Sequence, residues 1–176
     1  VILLCDNSRI GNAAGTVPII TIANGSSTIK LRDLVLAPSN ATYCISGTTA
    51  TDVEITSSVF SGTARFGVAM SGDANRRVII EGCSFDLGPS TAGSGTGDVT
   101  AVSVQGDDHI VQDNVITGTS DEALSTAINA VGDRVAIRRN KISDWVGGAA
   151  IVLINGDGGI VADNLLYRCG AGTGAS

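Results

Sequence analysis

Apolar and polar residues alternate along this chain in short bursts, and the bursts return at a nearly fixed spacing. Six copies stand out: Ile29-x-Leu31-x-x-Leu34-x-Leu36, Val53-x-Ile55-x-x-Ser58-x-Phe60, Val78-x-Ile80-x-x-Cys83-x-Phe85, His109-x-Val111-x-x-Asn114-x-Ile116, Val135-x-Ile137-x-x-Asn140-x-Ile142 and Gly159-x-Val161-x-x-Asn164-x-Leu166. Their second positions fall at 31, 55, 80, 111, 137 and 161, with steps of 24, 25, 31, 26 and 24 residues. A period in this range is the mark of a solenoid.

Within each copy the alternation has period two, so successive side chains take opposite faces of a strand. A second apolar strand precedes most copies, at Ile19-Ile20-Thr21-Ile22, Val68-Ala69-Met70, Val102-Ser103-Val104, Ile128-Asn129-Ala130 and Ile151-Val152-Leu153. A glycine separates the two strands, at 25, 47, 72, 106, 132 and 156, and glycine permits the positive φ of a sharp bend. Short strands and tight turns at this period predict an all-β parallel β-helix of six coils. Coils stacked ~4.8 Å apart would make a rod roughly 29 Å long. One domain over 1–176 is expected, with an inserted loop at 86–100 that accounts for the 31-residue step.

Composition narrows the reading. Aromatic residues are 3% and charged residues 16% of the chain, which suits a narrow core of Val, Ile, Leu and Ala. Eleven basic against seventeen acidic residues give a net charge of -6, with no basic cluster beyond Arg76-Arg77 and Arg138-Arg139-x-Lys141. Nucleic acid is therefore not an expected partner. No apolar run reaches the roughly 18 residues of a membrane span, and Val1-Ile2-Leu3-Leu4 lacks a basic flank. Neither end carries an amphipathic cap, and open strand edges invite association. We expect a segment of a longer chain or a subunit of an oligomer.

The repeat resembles that of the pectin-lyase-like right-handed parallel β-helices, in which an Ile-x-x-Asn-x-Ile pattern stacks asparagines inside a turn. Val111-x-x-Asn114-x-Ile116, Ile137-x-x-Asn140-x-Ile142 and Val161-x-x-Asn164-x-Leu166 carry it. In the earlier copies Leu34, Ser58 and Cys83 take the ladder position. The resemblance implies right-handed coiling and a structural ladder at Asn114, Asn140 and Asn164. That group includes polysaccharide lyases and hydrolases, uronate epimerases, and bacteriophage tailspikes and fibres.

The catalytic segments of the group are mostly absent: the chain has no Asn-Thr-Asp, Gly-His-Gly, Arg-Ile-Lys or Asp-Pro-His-Glu. Gly106-Asp107-Asp108-His109 is similar to one through its paired carboxylates, and close carboxylates can share acid and base roles. Asp108 and His109, with Glu122 on a nearby excursion at 117–122, are thus the catalytic candidates. The same place elsewhere reads Gly132-Asp133-Arg134-Val135 and Gly156-Asp157-Gly158-Gly159, which favours a repeated turn residue at Asp107.

Register places Asp107, Asp133 and Asp157 in one column, each four residues before the reference position. Their charges must splay into solvent or share a cation, and solvated turn carboxylates are the expectation, with no resident metal or cofactor. Asp113, Arg139 and Asp163 form a second column, expected to fix register by charge pairing. Cys5, Cys44, Cys83 and Cys169 contain no Cys-x-x-Cys pair and read as unpaired core thiols, which favours assembly in a reducing cytosol. For sugar contact the available rings are Tyr43, Phe66, Trp145 and Tyr167, with Trp145 and Tyr167 as the glycan-binding candidates and hull packing the competing role for Trp145.

Together these features lead to an expected spike or fibre module of a bacteriophage-like particle, virion-borne or extracellular, homotrimeric and engaging cell-surface polysaccharide. The alternatives are a polysaccharide lyase, hydrolase or epimerase, and a purely structural shaft.

Overall fold

A strand buries its apolar face only against another layer, and here the chain supplies that layer by winding around itself. The computed structural model describes residues 2–4, 9–11, 14–15, 18–88, 99–118, 125–145 and 148–170. Strands β1 (Ile2–Leu4), β2 (Arg9–Gly11), β3 (Ala14–Gly15) and β4 (Ile20–Ile22) belong to an opening circuit. Next come β5 (Ser26–Arg32), β6 (Val35–Ala37) and β7 (Asn40–Gly47), then β8 (Ala50–Thr56) and the long β9 (Val59–Met70). The fourth circuit holds β10 (Arg76–Glu81), β11 (Ser84–Gly88) and β12 (Thr100–Gln105), and the fifth β13 (Ile110–Gln112), β14 (Val115–Gly118) and β15 (Thr126–Val131). After them follow β16 (Ala136–Arg138), β17 (Lys141–Ser143) and β18 (Ile151–Ile154), and finally β19 (Ile160–Ala162) and β20 (Leu165–Tyr167).

Three parallel sheets result. Sheet A is ordered β1-β5-β8-β10-β13-β16-β19; sheet B runs from β2 through β6, β9, β11, β14 and β17 to β20; sheet C stacks β3 and β4, β7, β9, β12, β15 and β18. The unbroken β9 joins sheets B and C by pairing in both. The reference positions pair as their spacing requires: Leu31 with Ile55, Ile55 with Ile80, Ile80 with Val111, Val111 with Ile137 and Ile137 with Val161.

The six sequence copies bound five full circuits, from β5 to β19. The opening circuit escaped the pattern, although β1 pairs with β5. The inserted loop is also shorter than the expected 86–100. Asp86, Leu87 and Gly88 continue β11, pairing with Ser61, Gly62 and Thr63, and 89–98 lie outside the described residues.

Inward positions are dry. Val53, Ile55, Val68, Val78, Ile80, Val111, Ile128, Val135 and Ile137 are wholly buried. The two inward phenylalanines, Phe60 and Phe85, stack with centroids 4.5 Å apart and planes 7° from parallel, worth about 0.5–1.5 kcal/mol beyond their burial. Cys44 and Cys83 are buried unpaired thiols; burial pushes Cys44 up to about 12 and Cys83 to about 11. Such thiols stay protonated and act as small apolar side chains.

Each turn from sheet A into sheet B places one residue in the left-handed region two positions after the reference: Asp33, Ser57, Gly82, Asp113, Arg139 and Asp163, with φ between 50° and 62°. The following residue, at 34, 58, 83, 114, 140 or 164, is thereby aimed inward. From Asn114 onward it is the ladder: Asn140 Oδ1 accepts both the backbone N–H (3.1 Å) and Nδ2 (3.0 Å) of Asn114, and Asn164 Oδ1 does the same for Asn140 at 2.9 and 3.0 Å. In the same column Ser58 Oγ accepts from the Leu34 N–H and donates to the Thr56 carbonyl, and the Cys83 thiol donates weakly to the Ile55 and Glu81 carbonyls.

Candidate functional site

The catalytic candidates lie on the ridge where sheet C turns into sheet A. Three glycines let the turns stack closely. Gly72, Gly106 and Gly132 have φ of 131°, 117° and 138°, and a Cβ on each would run into a carbonyl of the coil beneath, from Thr48, Asn75 and Gly106 respectively. Asn75, wholly buried, holds this corner from within. Its Oδ1 accepts from the Ala50 N–H at 2.8 Å, and its Nδ2 donates to the Gly72 and Gln105 carbonyls at 2.9 and 3.1 Å.

Outside the glycines runs the acidic column, two of whose carboxylates bond the backbone of the next coil. Asp107 Oδ1 accepts the Asp133 N–H at 3.0 Å, and Asp133 Oδ1 accepts the Asp157 N–H at 3.2 Å. Arg76 approaches Asp107 Oδ2 at 3.3 Å and Arg134 approaches it at 3.7 Å. Asp107 and Asp133 thus each cap the turn of the next coil. Among the described residues no three His, Cys, Asp or Glu side chains converge as a metal site requires.

Asp108 occupies a second left-handed column, three residues before the reference, shared with Thr28, Asp52, Arg77, Arg134 and Gly158. Opposite charges alternate along it. Arg77 binds Asp52 through both carboxylate oxygens, and Arg134 Nε and an Nη bind Asp108 at 2.6 and 3.1 Å. The hydrogen bonds from Arg134 hold the Asp108 carboxyl below its ordinary range. A carboxyl so held is a poor proton donor near neutral pH.

His109 is adjacent in sequence but faces the other way. It is 0% exposed, in the column of Val53, Val78 and Val135, and its Nδ1 accepts the Val78 N–H at 3.2 Å. Its Nε2 is buried without a partner. Burial pushes the imidazole below its ordinary value, opposed by the Gln105 carbonyl and the Asp107 and Asp108 carboxylates. The fold separates Asp108 and His109 across the wall of the solenoid, because the left-handed φ of 62° at Asp108 turns the chain and aims the following residue inward. The catalytic reading of this pair is corrected accordingly: the imidazole has no route to a substrate. Glu122 lies outside the described residues.

Of the two rings singled out for glycan contact, Trp145 is corrected to a core residue at 1% exposure, its indole filling the space beside Gly118. Tyr167 is 57% exposed, with the Arg168 guanidinium 4.9 Å from its ring centre. Half-buried Tyr43 and Phe66 stack on each other at 5.1 Å, which covers one face of each ring. In the second charge column Arg139 binds Asp113 through both oxygens at 2.8 and 2.7 Å and also reaches Gln112. Asp163 acts on Arg139 only as a nearby charge.

What the ridge does offer is an open polar cleft of about 280 Å³ crossing four successive turns, lined by Asp73, Arg76, Asp107, Asp133 and Asn155 with Gly106, Val131 and Gly132. Asp73 accepts from Gln105 Nε2 at 2.6 Å, and Arg76 donates to the Asp73 and Asn75 carbonyls at 2.6 and 2.8 Å. Asp73, Asn75 and Arg76 were not among the sequence candidates. Asp73 is out of register with the aspartate column, and the close stacking of Gly106 on Asn75 brings its turn beside Asp107.

No curated protein and no solved structure matches the chain. The family model for the right-handed β-helix region matches residues 19–176. With three parallel sheets, a ladder of stacked asparagines and that match over nearly its whole length, the chain belongs to the right-handed β-helix family.

Proposed function

We propose that this chain is a rigid β-helix module that binds a cell-surface polysaccharide without cleaving it, as part of a trimeric spike or fibre of a bacteriophage-like particle. The observation that carries the binding role is the cleft across the sheet C to sheet A ridge. Its Asp73, Asp107, Asp133 and Arg76 side chains are fixed by bonds to neighbouring coils, so hydroxyl groups of a ligand would meet a preorganised set of donors and acceptors. Binding without turnover is the reading supported by the separation of Asp108, locked to Arg134, from His109, enclosed in the core.

The test is a panel of bacterial polysaccharides scored for retention on the immobilised protein and for release of reducing ends or unsaturated uronate. Retention without release is expected. Asp73→Ala, at the exposed lip, should weaken retention by about tenfold, one hydrogen bond's worth, at unchanged melting temperature. Release of new chain ends by the parent protein would establish the enzyme instead, and retention of nothing would leave a structural shaft.

A further inference from the structure

His109 is the chain's one histidine, and the geometry around it does more than fill a valine column. Its Nδ1 accepts a hydrogen bond from the Val78 N–H across the coil boundary between β10 and β13. A nitrogen that accepts is bare, so the neutral ring carries its proton on Nε2, which is buried without a partner. Adding a proton can therefore occur only at Nδ1. That proton would face the Val78 N–H, donor against donor, and would place a charge among Val53, Val78 and Val135, all wholly buried.

We propose that His109 makes the β10–β13 boundary an acid-sensitive seam: protonation at Nδ1 cancels its bond to Val78 and loosens the stacking of the two coils. This seam spans the 31-residue step of the repeat, so the chain between its two strands is the longest in the stack. The Gln105 carbonyl and the Asp107 and Asp108 carboxylates favour a charged ring, but burial among apolar side chains outweighs them. Asp107 and Asp108, on the histidine's own turn, are engaged by Arg76 and Arg134. Arg76, at the start of β10, opposes a positive ring, and Arg134, on the turn before β16, is held by Asp108. The remaining side chains of the column are apolar.

The sign follows from linkage. A histidine kept neutral by the fold leaves stability intact above the ordinary imidazole value near 6.5; stability then falls with pH until the folded protein takes up the proton. Because no other histidine is present, the imidazole resonances titrate without ambiguity. We expect a midpoint below the ordinary value, with protection of the Val78 amide, relative to its intrinsic exchange rate at each pH, falling by about tenfold or more as the bond is lost. The melting temperature should fall between about pH 7.5 and pH 5 in the parent, whereas His109→Gln and His109→Val should hold theirs over that interval. Two variants of different polarity keep the test open should one fold poorly. An imidazole midpoint at the ordinary value with Val78 protection unchanged would overturn the proposal, as would variants that follow the parent curve.

Discussion

Asn114 and Asn140 are joined twice through a single atom: Asn140 Oδ1 accepts the backbone N–H of Asn114 at 3.1 Å and its Nδ2 at 3.0 Å. The Asn140 Nδ2 in turn donates to the Val111 carbonyl at 2.9 Å and to Asn164 Oδ1 at 3.0 Å. All of these groups lie in a turn with little access to water, where an orphaned donor costs more than a made bond contributes.

Asn140→Ala should therefore destabilise by about 1–3 kcal/mol. Asn129 sits half-exposed on sheet C, outside the ladder, and Asn129→Ala should cost less. Urea denaturation of both variants decides the matter, and equal midpoints would mean that the ladder contributes nothing special.

The glycine ridge gives a second comparison. At Gly132 a Cβ would collide with the Gly106 carbonyl, and φ is 138°; at Gly25 φ is 74° but nothing lies within 4 Å of the added atom. Both alanine variants bear conformational strain, of order 1–3 kcal/mol. Only Gly132→Ala must also move backbone, so its melting temperature should fall well below that of Gly25→Ala.

The period and the columns were legible in the sequence because a period-two pattern repeated at 24 to 31 residues leaves one way to bury the apolar set. Ile55 opposite Ile80 and Val111 opposite Ile137 needed nothing beyond counting. What could not be counted was backbone conformation. The charges at 113, 139 and 163 read as a surface pairing ladder, whereas all three stand in the left-handed region. Aspartate suits such a position through local hydrogen bonding, and arginine is held there by its partner in the preceding coil. The candidate site was obscured for the same reason. Adjacent letters such as Asp108-His109 suggest proximity, yet the left-handed turn at Asp108 leaves one outside and sends the other into the core. Asn75 carried a faint signal, a polar residue at the end of a Gly-containing turn, but nothing in its spacing announced that it would be wholly buried.

Calcium should leave the protein unchanged. Asp107 and Asp133 each spend Oδ1 on a backbone N–H of the next coil, and Arg76 lies 3.3 Å from the other oxygen of Asp107. A cation would have to displace that arginine to collect the six to eight oxygen ligands that calcium prefers. Thermal melts with and without millimolar calcium should superimpose, in the parent and in Asp133→Asn alike. A calcium-dependent rise that Asp133→Asn removes would show that the column binds metal.

Acid should act on the outer charge columns in a window separate from that of His109. Hydrogen bonds from Arg77, Arg134 and Arg139 hold the Asp52, Asp108 and Asp113 carboxyls below their ordinary values. A carboxyl depressed by folding contributes stability that is fully present above the unfolded value near 3.9 and is lost as pH falls through the folded value. The melting temperature should therefore drop a second time below about pH 4. All three pairs are exposed to solvent, so salt should weaken them and flatten this second drop. Asp108→Asn tests the assignment, since asparagine tolerates the left-handed φ of 62° at that position while removing the charge. In low salt its curve should run below the parent near neutral pH and converge with it at the acid end. Parallel curves across the whole range would show that the Asp108–Arg134 pair contributes no linked stability.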